Sequence, residues 1–230
     1  MRVAGIDGYN GGWVAVVVDS GDFSKAETKW ESSLQELIDI GNIELSLVDI
    51  PVGLSSGPED REVENTIRTF LTGKTSSVFN SPCRQALSGQ SYEEASEINK
   101  QILGKGLSKQ SWSLFPKIQE ADLVAQNPSN GSVKEGHPEV SFAVVNNSPI
   151  LASKKSAKGM LERVSVLSDL GFDFSGLAGN LPDRHSAAPD DLLDAAILAW
   201  SANRVINNQH ISFPNAPRRD ECGLEMAVFA

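Results

Sequence analysis

The sequence predicts an α/β fold. Two observations carry it. Three strand-like runs lie close together at the start of the chain, and a helical run followed by a fresh strand comes directly after them. Residues 2–7 (RVAGID) form an apolar run that ends on Asp7. GYNGG supplies a turn, and residues 13–20 (WVAVVVDS) form the second strand. A third strand, residues 25–31, alternates weakly. So closely spaced, the three predict an antiparallel meander. Residues 33–40 place Leu34, Leu37 and Ile38 at helical spacing, with Gly41 as the stop. Residues 43–53 read as the next strand, ended by Pro51, which cannot donate to a ladder.

The middle is less regular. Residues 59–72 are expected to be helical, and 73–89 (GKTSSVFNSPCRQALSG) to be a loop. In the run 91–103, Ser91 and Glu94 stand at capping-box spacing. Residues 104–112 read as a flexible, hydroxyl-rich stretch, and 113–126 as a helix started or broken at Pro116. Residues 132–142 are strand-like. Residues 154–171 are an amphipathic helix with Met160, Leu161, Val164, Leu167 and Leu170 at helical spacing. The strongest helix is 189–206: Pro189 suits its first turn, and its apolar residues on most sides predict burial against a sheet. The tail, 218–230, ends in a candidate strand.

Length and charge narrow the function. With 230 residues, one large domain or one domain carrying an insertion is expected. Twenty basic against thirty acidic residues give a net charge of −10, which argues against broad coating of duplex nucleic acid. No apolar run approaches the ~20 residues of a membrane span. The N-terminus reads as a first strand, without the apolar core of a secretory signal. Cys83 and Cys222 have no metal-type spacing, so a reducing cytoplasm is the expected location.

The residues that point to chemistry are acids. Asp7 and Asp49 both end strands. If those strands are parallel neighbours, both carboxylates emerge at one sheet edge. Asp191 and Asp194, three apart, share a helix face, and Asp190 stands four from Asp194. Such a group repels itself unless a cation sits among it, and Mg²⁺ or Mn²⁺ prefers hard oxygen ligands. Ions held there activate water and stabilise the leaving oxygen of a phosphodiester. Plainer readings remain: Asp7 before Gly8 starts a turn, and Asp190 and Asp191 favour a helix N-terminus. Asp194 is harder to dismiss, because its neighbours are apolar and a buried acid needs a partner.

EGHPE forms a second cluster. In an extended chain Glu135, His137 and Glu139 share a face and are candidates for ligand or general-base work, against the alternative that Pro138 ends the strand and the acids face water. Lys154, Lys155, Lys158 and Arg163 form a third. Lysines at a helix N-terminus oppose the dipole, and phosphate binding or a solvated face accounts for them. Arg84 and Lys74, near a Ser-rich loop, are further phosphate candidates. The glycines match neither a P-loop nor a dinucleotide fingerprint.

GIDGYNGGWVAV, VDIPVGL, GKTSSVFNSPCRQAL, EGHPEVSF, KKSAKG and DDLLDAAILAWSANR follow one another in that order. With them the chain strongly resembles, over essentially its whole length, the bacterial domain-of-unknown-function family 429, described as predicted RNase H-like nucleases. The resemblance implies one RNase H-like domain over 1–230. Its core would be a mixed five-stranded sheet with an antiparallel meander and flanking helices, with a mostly helical inserted cap at about 55–130. It also implies a resolvase-like acid set: Asp7 from the first strand, Asp49 from the fourth, and Asp191 and Asp194 from the last helix. Aspartate followed by Ile-Pro stands where the resolvase pattern has glutamate.

The expected function is therefore Mg²⁺- or Mn²⁺-dependent phosphodiester hydrolysis. Asp7, Asp49, Asp191 and Asp194 would be metal ligands, with Glu135, His137 or Glu139 positioning water. Arg84, Lys154, Lys155 and Lys158 would hold substrate phosphate. The expected partner is a nucleic acid or nucleotide, with a homodimer as the one further association considered and no membrane. The alternatives are a phosphoryl-group enzyme on a nucleotide or small phosphorylated metabolite, and a non-catalytic binding module on the same scaffold.

Overall fold

The computed structural model describes residues 1–59, 61–127, 131–179 and 188–230. β1 (Arg2–Tyr9) and β2 (Gly12–Asp19) pair antiparallel from Arg2 opposite Asp19 to Tyr9 opposite Gly12, and β3 (Glu27–Glu31) pairs antiparallel with β2. This is the expected meander. β4 (Leu45–Val48) runs parallel to β1 on its free side, and β5 (Ser132–Gly136) runs parallel to β4. β7 (Glu225–Phe229) then lies parallel to β5, and β6 (Ser212–Arg219) antiparallel to β7. Among the described residues the sheet has seven strands, in the order β3-β2-β1-β4-β5-β7-β6, rather than the five expected. β6 hid in the sequence because Pro214 and Pro217 interrupt it. At the sheet edge prolines are tolerated, and the register breaks between Phe213 and Arg218.

Both faces of the sheet are covered, which is why its first strands read as continuous apolar runs. Ala4, Ile6, Trp13, Ala15 and Val17 face α1 (Leu34–Gly41) and α5 (Phe115–Ala125), meeting Leu34, Leu37, Ile118 and Ala121. Val3, Val14, Val16 and Val18 face α9 (Pro189–Ile206), meeting Leu193 and Ile197. A third cluster joins β6 and β7 to α2 (Val63–Phe70) and α6 (Pro138–Asn146) through Ile67, Leu71, Val140, Phe213 and Val228.

Gly5 sets how closely α9 approaches. A Cβ at that position would stand 2.1 Å from the carbonyl oxygen of Ala195 and 2.2 Å from the amide nitrogen of Ala199. Only glycine lets the helix backbone lie directly on β1.

Several local expectations change. α1 ends through Asn42, which takes the left-handed conformation at φ 48°, one residue beyond the expected Gly41. Residues 73–89 contain two short 3₁₀ turns, Thr75–Ser77 and Arg84–Ser88. α3 (Tyr92–Leu103) is capped as expected: Ser91 Oγ accepts the Glu94 N–H at 3.2 Å, and Glu94 accepts the Gln90 N–H at 2.8 Å. The hydroxyl-rich stretch forms α4 (Lys109–Ser113), started by Ser108, whose Oγ accepts the Ser111 N–H. Pro138 opens α6 instead of ending a strand, because proline suits the first turn of a helix. α7 (Ala157–Asp169) and the short α8 (Phe174–Gly179) pack beside α9.

Residues 60 and 128–130, parts of the stretch expected as an insertion at 55–130, lie outside the described residues. Its described part is mostly helical. α5, at its end, packs under the sheet with α1. Among the described residues no helix is long and apolar enough to cross a membrane.

Candidate metal centre

Asp7 and Asp49 come together through the β1–β4 ladder. Ile6 stands opposite Val48, and the Asp49 N–H donates to the Ile6 carbonyl at 3.0 Å. The two aspartates therefore leave the carboxyl ends of adjacent parallel strands side by side. Asp194 comes from α9, one residue before the Ala195 carbonyl that rests on Gly5. One carboxylate oxygen from each of Asp7, Asp49 and Asp194 lies within 4.8 Å of the others. Asp7 and Asp194 are buried, and Asp49 is partly open to solvent.

The group is electrostatically costly. Burial, then Asp49, Asp194 and Asp191, raises Asp7 well above the usual aspartate value. Burial and Asp194 push Asp49 up to about 8. Burial raises Asp194 to about 6 in spite of Lys154, whose ammonium forms an ion pair with it. Lys154 also stands 3.6 Å from Asp190. Burial alone would lower the lysine, but Asp194, followed by Asp7 and Asp49, outweighs it and holds the ammonium firmly charged.

A family model described as "Protein of unknown function (DUF429)" matches residues 5–219, a span that holds all three aspartates and Lys154. The chain belongs to the DUF429 family. No curated protein and no solved structure matches it.

The other predicted site residues of this DUF429 chain fall around the acids in different ways. Asp191 stands outside the three-acid group: its Oδ2 accepts the Ala188 N–H at 2.8 Å and caps α9, and its charge reaches Asp7. Glu135, in β5, is buried and accepts from the Val52 N–H at 3.0 Å and from Arg61 Nη2 at 2.6 Å. Burial, against the pull of Arg61, sets it at about 7. His137 lies past the end of β5 and caps α6, its Nδ1 accepting the Val140 N–H at 3.4 Å, and burial lowers its pKa. Glu139 is in the first turn of α6 and takes Arg163 Nη2 on both oxygens, at 2.7 and 2.9 Å, with Lys74 at 3.5 Å. The strand stops at Gly136, so the extended alternation expected for Glu135, His137 and Glu139 gives way to the first turn of α6. Yet Glu135 and His137 line one cavity with Asp49, and the charges of Glu135 and Glu139 both reach Asp49.

Among the basic candidates, only Lys154 touches the acids. Lys155 and Lys158 are exposed, and Lys158 stands 3.8 Å from Glu162 on its own helix. Arg84 is turned to Asp122 and Asp220, with Glu221 at 3.7 Å, tying α5 to the turn between β6 and β7.

Two basic residues escaped the sequence reading. Arg61 is buried and spans Glu135, the Gly53 carbonyl at 2.8 Å and Glu64 at 3.4 Å. Glu64, three residues on, was its one local signal; Glu135 lies far along the chain. Lys117 of α5 donates to the Gly12 carbonyl at 2.7 Å and lies 4.0 Å over the Trp13 ring. Burial lowers its pKa against the opposing charges of Glu120, Asp7 and Asp191. Its aliphatic stem runs past Gly8, where a Cβ would meet Cδ at 2.6 Å, so the glycine of the DGYNGG turn was the available signal.

Proposed function

We propose that the chain is a divalent-metal-dependent phosphodiesterase, a nuclease of the RNase H-like class. The observation that carries this reading is the three-acid group. Its carboxylates come from two adjacent parallel strand ends and a helix, with ligand oxygens within 4.8 Å of one another. The strands β3-β2-β1-β4-β5, a meander followed by parallel strands between helices, support the RNase H-like assignment.

The residues fit a metal. Three carboxylates face a single ion-paired lysine, and burial with mutual repulsion raises Asp7, Asp49 and Asp194, a cost that a divalent ion among them would relieve. Asp7, Asp49 and Asp194 would hold Mg²⁺ or Mn²⁺. A metal bound there supplies Lewis acidity and a water of lowered pKa.

The chain's own residues do the rest. Gly5 and the β1–β4 ladder fix the three carboxylates on rigid elements. The Asp191 carboxylate holds the first turn of α9 and thereby the helix carrying Asp194. Arg61 and the Val52 N–H orient Glu135 beside Asp49. The Lys154 ammonium, paired with Asp194, and Lys117, whose charge acts on Asp7, would hold a bound phosphate.

A nucleotide or other small phosphorylated substrate is the second reading. The arginines 61, 84 and 163 are all engaged by internal acids, and the net charge is −10, so long duplex has little basic surface to follow.

The test is a hydrolysis panel of single-stranded and duplex DNA and RNA, oligonucleotides and nucleotides in Mg²⁺ and Mn²⁺, comparing wild type with Asp7→Asn. Cleavage lost on adding EDTA and reduced at least about 100-fold in Asp7→Asn supports the reading. Cleavage that persists in both cases overturns it.

A further inference from the structure

Lys154 is placed oddly for a surface lysine. It lies in the segment between α6 and α7, yet its ammonium reaches into the acid group, pairs with Asp194 and stands 3.6 Å from Asp190. The backbone that carries it is tied down. The neighbouring Ala152 carbonyl accepts from Arg163 Nη1 at 3.2 Å and from Lys74 Nζ at 3.4 Å, and both of those cations are held by Glu139. Ser153 accepts from the Ser156 backbone at 2.9 Å and from its hydroxyl at 2.7 Å. A Cβ on Gly159 would stand 2.1 Å from the Ser153 carbonyl, so α7 begins hard against this turn. The anchored turn leaves the four-carbon stem of Lys154 as the movable part, and a third of its side chain is open to solvent (33%).

Two physical facts then meet. The ammonium shares Asp194 with the position a cation would need, and like charges crowded there oppose each other strongly at short range. In the absence of a metal, the same ammonium is the one positive group, among the described ion pairs, that is paired with a member of the three-acid group, Asp194.

Resting on the metal-dependent reading above, we propose that Lys154 is the exchangeable counter-ion of this site. It neutralises Asp194 in the metal-free protein, gives up that carboxylate when a divalent cation loads, and then turns its freed ammonium to a phosphate of the substrate. Glu139, through Arg163 and Lys74, positions the turn from which the side chain swings. In this role Glu139 is a positioning residue.

The experiment is calorimetric titration of Mn²⁺ into wild type, Lys154→Met, Lys154→Arg and Asp49→Asn. A second titration of inorganic phosphate is made in saturating Mg²⁺, with thermal melts in EDTA to verify folding. Removing a charge so close to the site is expected to tighten Mn²⁺ binding in Lys154→Met by about tenfold or more, and to weaken phosphate binding by a similar factor. Lys154→Arg, which keeps the charge, is expected to stay within about threefold of wild type in both. Mn²⁺ binding in Lys154→Met that is no tighter than wild type, or phosphate binding that is unchanged, overturns the exchange while leaving the metal centre standing. Absence of Asp49-dependent Mn²⁺ binding in wild type overturns the metal centre itself, and the exchange with it.

Discussion

Replacing Asp49 with asparagine should stabilise the metal-free protein. Asp49 has its pKa moved from 3.8 to about 8 on folding. Between those values the folded chain holds a proton that the unfolded chain has released. Stability therefore falls as pH rises across that window, and the penalty is complete above about pH 8. At pH 7 about three pH units of the window have been crossed, at about 1.4 kcal/mol each, which sets a ceiling near 4 kcal/mol. Asp7 and Asp194 share the same protons, and Asp49 is partly open to water, so about 2 kcal/mol is the expected gain. For a chain of this size that is roughly 4–8 °C in Tm. Melts of wild type and Asp49→Asn in EDTA at pH 4, 7 and 8.5 measure it. The variant should match wild type near pH 4 and exceed it at pH 7 and above. On adding Mn²⁺ the order should reverse, because the wild type alone has the full ligand set. A variant that melts at or below wild type in EDTA at pH 8.5 would refute the claim that these acids are held together at a cost.

Three further outcomes are expected. Arg61→Met should cost about 3–5 kcal/mol in urea unfolding, because it leaves Glu135 buried beside Glu64 without its cation; the double variant Arg61→Met/Glu135→Gln should recover part of the loss. Gly5→Ala should force α9 away from β1, lowering Tm by roughly 6 °C or more and weakening Mn²⁺ binding by moving Asp194; calorimetry on the folded fraction checks the second effect. Ser91→Ala should cost about 1 kcal/mol through loss of the α3 cap, with Mn²⁺ affinity unchanged.

Much of the acid group was legible because it depends on periodicity that the sequence displays. Asp7 and Asp49 each close an apolar run, and Asp194 interrupts an apolar helix. The meeting of Asp7 and Asp49 required only that β1 and β4 be parallel neighbours, which the meander–helix–strand order favours, whereas Asp194 needed α9 laid on Gly5. Asp191 was legible as an acid at a helix start, but only the Ala188 N–H decides that it caps the helix. The EGHPE cluster stayed open between two readings because a single proline serves equally to end a strand or to open a helix. The long-range fate of the arginines could not be read. Apart from the i,i+3 pair of Arg61 with Glu64, Arg61, Arg84 and Arg163 find their acids far along the chain, and no local pattern records a partner at that distance. β6 shows the same limit in backbone form: two prolines argue for a loop unless it is known that the segment lies at a sheet edge.

The sheet is also uneven in how it is sewn together. β1 and β2 match residue for residue along eight positions, whereas β5 meets β7 only at Glu135 with Val228 and Gly136 with Phe229. The β6–β7 hairpin is therefore fastened less by backbone than by side chains, which it shares with α2 and α6 on one face and, through Ala227 and Phe229, with the α9 cluster on the other. In native-state hydrogen exchange this seam sets the boundary of a cooperative unit. β6, β7 and α2 should exchange as one block at lower free energy than β1, β2 and β4. The opening leaves the β1–β4 ladder intact, so the strand ends that carry Asp7 and Asp49 belong to the slowest-exchanging part of the protein. Glu135, at the seam, sits on the hinge between the two regimes.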